Sequence, residues 1–171
     1  MIDRVTGDPA SCSQLGGALR SQAARLLTDR AGVDAALTTL TRDPAQIGPA
    51  DRTRRDVRLL DTIAEQLDAA GAVLQQYAQE LAQVSEGTRQ LEAAVARAGL
   101  ELDGLRVVEP WGVAPAETAA RRRTALPELQ MRSERLASQL GRARAAVQRS
   151  LVRSTELLAR AAATSRGSLG G

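Results

Sequence analysis

The side chains here best suited to act on another molecule are arginines, and three of them fall at a fixed interval. Arg135, Arg142 and Arg149 recur every seven residues, which sets them on one face of a helix. Arg132, Arg153 and Arg160 occupy the adjacent stripe, and Arg121-Arg122-Arg123 precedes the group. A one-sided ridge of this kind can bind phosphate-rich nucleic acid or an anionic surface. The favoured reading is a solvated face whose arginine stems shield the apolar seam. The ridge has no aromatic residues for base stacking, and the chain shows no recognised nucleic-acid fold. Nucleic acid is therefore the less favoured partner. Every basic side chain is Arg, and Lys, His and Asn are absent. A GC-rich coding sequence produces that usage without any special purpose.

The other candidates for chemistry are sparse. Without His the chain lacks the usual general base and the commonest metal ligand. Its one cysteine, Cys12, can form no internal disulfide and no thiolate metal site. In an amphipathic stretch it reads as a small buried hydrophobe. Asp61, Glu65 and Asp68 share one face of a helix, away from its apolar side, and read as solvated charges. The expectation is a protein without catalytic, cofactor-binding or metal-binding residues, and not an enzyme.

The elements that would carry these residues are helical. The chain has 171 residues, 43% hydrophobic but only 1% aromatic, with no Phe. Ala, Leu and Val suit helix-on-helix packing, which needs no large rings. The expected fold is all-α. It is an elongated helical bundle, or a helical hairpin of two long antiparallel helices with an N-terminal helix added, forming one domain over residues 1–171.

A first helix is expected at about 9–42. Asp8 caps it, Pro9 takes the first helical position, and Cys12, Leu15, Leu19, Ala23 and Leu26 form its stripe. A bend or interruption is expected near Gly32, and Asp43-Pro44 ends the segment. A second helix is expected at about 50–98, roughly 70 Å long at about 1.5 Å per residue, with Asp51 in its first turn and Gly99 as the stop. Residues 99–118 form a linker holding Trp111 and Gly112. A third helix follows at about 119–163, with Pro127 kinking it or marking a later start. Residues 164–171 make a flexible tail.

The second helix carries the strongest pattern. Leu60, Ile63, Leu67, Ala70, Leu74, Tyr77, Leu81, Val84, Thr88, Leu91, Val95 and Ala98 alternate spacings of three and four, as in helices laid against partner helices. The residues beside this seam, Ala64, Gly71, Ala78 and Ser85, are small. They let a further backbone approach, which favours a bundle over a two-stranded coiled coil. On the third helix Leu136, Leu140 and Val147 continue a seven-residue pattern, weakened by Ser133, Ser150 and Ser154. These seam residues are candidates for helix packing or for a partner interface, so Asp at Leu74 and Leu81 is expected to abolish assembly. A structural scaffold or assembly subunit, in which the long helices set spacing, is the other reading of the same pattern.

Charge is split between segments. Residues 51–103 carry a net of about −4 and residues 119–171 about +8, opposite signs that favour mutual packing or partner choice. The opening residues lack the apolar core of a signal peptide, and no uncharged apolar run is long enough to cross a bilayer. The expectation is a chain made in the cytoplasm, with secretion lacking a cleaved signal left open.

Trp111-Gly112 between two long helices resembles the Trp-x-Gly family of small helical proteins handled by type VII secretion in Gram-positive bacteria. Gly7-Asp8-Pro9 leading into Leu15, Leu19, Ala23 and Leu26 resembles the opening helix of actinobacterial proteins linked to that system. Here Trp and Gly are adjacent, and Tyr77 is followed four residues later by Leu81 rather than an acid. The resemblance implies a helical hairpin with a Trp-containing turn, paired with itself or with another helical protein. Apart from that resemblance, Trp111 is expected to plug the end of a bundle.

Overall fold

A computed structural model describes residues 8–40 and 47–169, with side chains at 8–39 and 53–164. Three helices dominate: α1 (Pro9–Leu40), α2 (Ile47–Arg97) and α3 (Ala116–Leu169). Between the last two lies a short antiparallel hairpin, β1 (Glu101–Asp103) and β2 (Arg106–Val108). The fold is all-α with this one small addition. The expected break at Asp43-Pro44 and the closing Gly170-Gly171 lie outside the described residues. So does the side chain of Asp51.

Contacts divide the chain into two compact units. One holds Ser11–Gln76 with Val147–Gly171. In it α1 runs antiparallel to the first part of α2, and glycine is what sets their closest approach. A Cβ on Gly71 would stand 2.6 Å from the Gly16 carbonyl oxygen, and one on Gly16 would stand 2.7 Å from that of Gly71. Both distances are below van der Waals contact, so only glycine at these positions lets the backbones meet. Farther along, Leu37 and Val57 are buried together with Val33 against them. This packing carries α1 unbroken through Gly32, where a bend was expected, because it outweighs the ~1 kcal/mol that a helical glycine costs.

Arginines of α1 reach across to α2 in the same unit. Arg20 Nε donates to Asp68 Oδ1 at 3.0 Å and Arg20 Nη1 to Gln75 Oε1 at 3.1 Å. Arg30 Nε lies 3.1 Å from Asp61 Oδ1, an ion pair whose N–H is not aimed at the oxygen, and Arg30 Nη1 lies 3.2 Å from Asp34 Oδ2. Asp61 and Asp68 are therefore not the merely solvated charges expected. They face α1 because the glycine contact draws that helix close, while Glu65 stays exposed.

The other unit is built on Tyr77–Ala146. Leu91, Val95, Leu100, Val107 and Leu129 form its buried cluster, with Leu126 and Leu136 packed against it. Here the end of α2 and the beginning of α3 run antiparallel. Gly87 meets the Leu136 side chain, which would stand 2.6 Å from an added Cβ.

The element ends follow from local chemistry. Asp8 Oδ1 accepts from the Ala10 backbone N–H at 3.1 Å, capping α1. At the end of α2, Gly99 has φ 70°. Leu100 N–H donates to Val95 C=O and Gly99 N–H to Ala96 C=O, both at 3.0 Å, which is a Schellman cap. Leu100 and Val95 meet in the buried cluster, the apolar contact such caps carry. α3 starts at Ala116, before the expected 119, because the Pro115 carbonyl accepts from Ala119 N–H at 3.0 Å. It continues through Pro127, which costs one backbone hydrogen bond but sits between the buried or half-buried Leu126 and Leu129. It also runs on to Leu169, past the expected end near Ala163, so the helix takes in most of the stretch expected to be a flexible tail.

Candidate functional site

The stretch expected to be a plain linker is a built device. Asp103-Gly104 turns the chain: Gly104 has φ 60° and Leu105 does not share a positive φ, the pattern of a two-residue II′ hairpin turn. Val107 and Val108, β-branched, suit the strand that follows. The hairpin is pinned to α3 twice. Ser133 Oγ donates to the Leu105 carbonyl at 2.8 Å, and Val107 N–H donates to Gln130 Oε1 at 2.8 Å. Ser133 is buried to 1% exposure, so this serine in the α3 seam is a polar anchor and not a weak packing position. Gln130 is in turn held by Glu134 at 2.9 Å.

After the hairpin, Glu109-Pro110-Trp111-Gly112-Val113 leads to Pro115 and α3. Trp111 is 104% exposed and Val113 is 106% exposed. Gly112 between them has φ 128°, a conformation that suits glycine. Trp111 does not plug a bundle end. The cluster closes over Leu100, Val107 and Leu129 instead, and the hairpin that supplies Val107 leaves the Trp loop outside it. A tryptophan presents roughly 150–250 Å² of mostly apolar area. Held on a loop between pinned elements, Trp111 and Val113 are an apolar projection into solvent.

The seam residues stand elsewhere. Leu74, Leu81, Val84 and Leu91 are buried, Leu81 at 0% exposure. Leu60, Ile63, Leu67, Tyr77, Leu136, Leu140 and Val147 are half-buried. Of the two roles open to these residues, burial within the chain supports helix packing. Asp at Leu74 and Leu81 would then disrupt the fold before any assembly. Cys12 is half-buried.

The arginine ridge is on the surface. Arg135, Arg142, Arg149, Arg153 and Arg160 are exposed and Arg132 is half-buried. Among the described residues no ion pair engages any of the six. In the Tyr77–Ala146 unit, Met131, Glu134, Arg135, Ser138 and Arg142 line one shallow depression on α3. In the other unit, Gln148, Arg149, Val152, Arg153 and Glu156 line another. Arg121 is taken by Glu117 at 3.5 Å, and Arg122 lies over Gly99 at the end of α2, where a cation suits the negative helix end.

Sequence reasoning passed over several exposed apolar side chains, Leu27, Leu105, Val113, Met131 and Val152, and it placed Leu15 in the packed stripe of α1 although that side chain is 54% exposed. Periodicity gives no signal for single residues of this kind. The hairpin did leave one, the Asp103-Gly104 pair beside Val107-Val108. Among the described residues no group of three His, Cys, Asp or Glu could hold a metal ion. No helix among them is long and apolar enough to cross a membrane. Comparison with family models, with curated proteins and with solved structures finds no match to this chain.

Proposed function

We propose that this chain is a non-enzymatic helical interaction protein that associates through the Trp111 loop, first with a second copy of itself. The observation that carries this reading is the full exposure of Trp111 and Val113 on the loop that follows the anchored hairpin. Large aromatic side chains placed this way are what buried interface anchors look like before the partner arrives. The placement of Trp111-Gly112 between α2 and α3 also fits the resemblance to type VII secretion substrates and their partners, a family whose members often pair. Because the seam on α2 is spent inside the chain, association falls to the loop and not to the seam.

The sequence provides its own reporter, since Trp111 is the only tryptophan. Covering the indole shifts its emission to the blue, so dilution of the assembled protein should shift it back. Trp111→Ser should yield a monomer with unchanged helical content. Assembly that survives Trp111→Ser would show that the loop is not the contact.

A further inference from the structure

A different observation, the unpaired arginines of α3, carries an inference that is independent of the Trp111 loop. We infer that the two arginine-bearing patches on α3 dock the phosphate backbone of double-stranded DNA. Each patch is complete within its own unit. The first presents Arg135 and Arg142, about 10.5 Å apart along the helix at about 1.5 Å per residue, with Ser138 between them and Met131 at its edge. The second presents Arg149 and Arg153, one turn apart, with Gln148 and Val152 beside them. Each includes one carboxylate, Glu134 in the first and Glu156 in the second, and Glu80 of α2 shares a further depression with Arg142, so the surplus of guanidinium is clearest in the second.

Arginine left without a protein carboxylate on an exposed helix face keeps its full complement of donors for an outside anion. The guanidinium fork matches phosphate geometry. The surrounding charge points the same way, with residues 119–171 carrying a net of about +8. Three observations choose the occupant. Single strands are held chiefly by aromatic stacking platforms, and neither patch contains an aromatic residue. A bilayer surface takes a helix with a broad apolar face, and the patches offer only Met131 and Val152. An α-helix fits the wide major groove of B-form DNA, whereas the deep, narrow major groove of duplex RNA does not admit side chains. The patches lack a constellation for reading base edges, so binding is through phosphates and independent of sequence.

The test is the affinity of the full chain for a labelled DNA duplex of mixed sequence, measured between 50 and 200 mM salt. With four phosphate contacts the slope of log K against log salt is about −3.6, and affinity falls on the order of 100-fold over that range. Arg135→Gln with Arg142→Gln, or Arg149→Gln with Arg153→Gln, should each reduce the slope by about 2 while helical content and melting stay unchanged. Arg142→Gln alone should reduce it by about 1, and this single change keeps the test readable if a double variant folds poorly. Arg89→Gln, on α2 and held by Glu86 at 2.7 Å, should leave the slope as it is. Absence of duplex binding at 50 mM salt overturns the inference. So does a slope that ignores the α3 substitutions, or tighter binding to single strands, duplex RNA or anionic phosphatidylserine vesicles than to the DNA duplex.

Discussion

At the scale of single residues, two glycines of α1 make opposite predictions. Gly16 meets the Gly71 backbone, whereas nothing lies within 4 Å of the Cβ position on Gly32. Gly32→Ala should therefore gain the helical preference of alanine, about 1 kcal/mol, which for a chain this size raises Tm by about 2–4 °C. Gly16→Ala gains the same preference but forces two backbones apart, an overpacking cost of about 1–3 kcal/mol. The clash is with a carbonyl and not with a flexible side chain, so the second effect wins and Tm should fall. Thermal melting of the two variants decides it. Ser133 supplies a third test. Ser133→Ala removes the bond to the Leu105 carbonyl and should cost about 1 kcal/mol, seen in the same melts.

At the scale of elements, much was legible and the misses have physical causes. The seam of α2 and the small residues beside it foretold a bundle in which another backbone approaches, and Gly71 against Gly16 is that approach. Asp8 and Pro9 located the start of α1, and Gly99 the end of α2. The hairpin was harder to read because two three-residue strands carry almost no periodicity. Only Asp103-Gly104 spoke for it. The α1–α2 ion pairs were missed because a stripe of acids looks solvated until the helix opposite is placed. The hairpin should depend on its turn: Gly104→Val, at φ 60°, strains the backbone by about 1–2 kcal/mol. Faster amide exchange at Val107, with α1 unaffected, is the expected readout. The Arg20–Asp68 pair is half-exposed and worth at most about 1 kcal/mol. Exchanging the two, Arg20→Asp with Asp68→Arg, should recover stability lost in either single change.

At the scale of the whole molecule, the chain spends much of its long apolar stripes on its own helices. Among the described residues, the surface left over includes the projection of Trp111 and Val113 and the unpaired arginines of α3. The sequence showed both sets of residues but could not say which were covered, since exposure of a lone tryptophan depends on where a hairpin closes the core. Association through Trp111 is read by recording its emission together with molecular mass as protein concentration rises. A blue shift should track growth from monomer to dimer, and that growth should be absent in Trp111→Ser. A monomer with water-exposed emission at every concentration would contradict it.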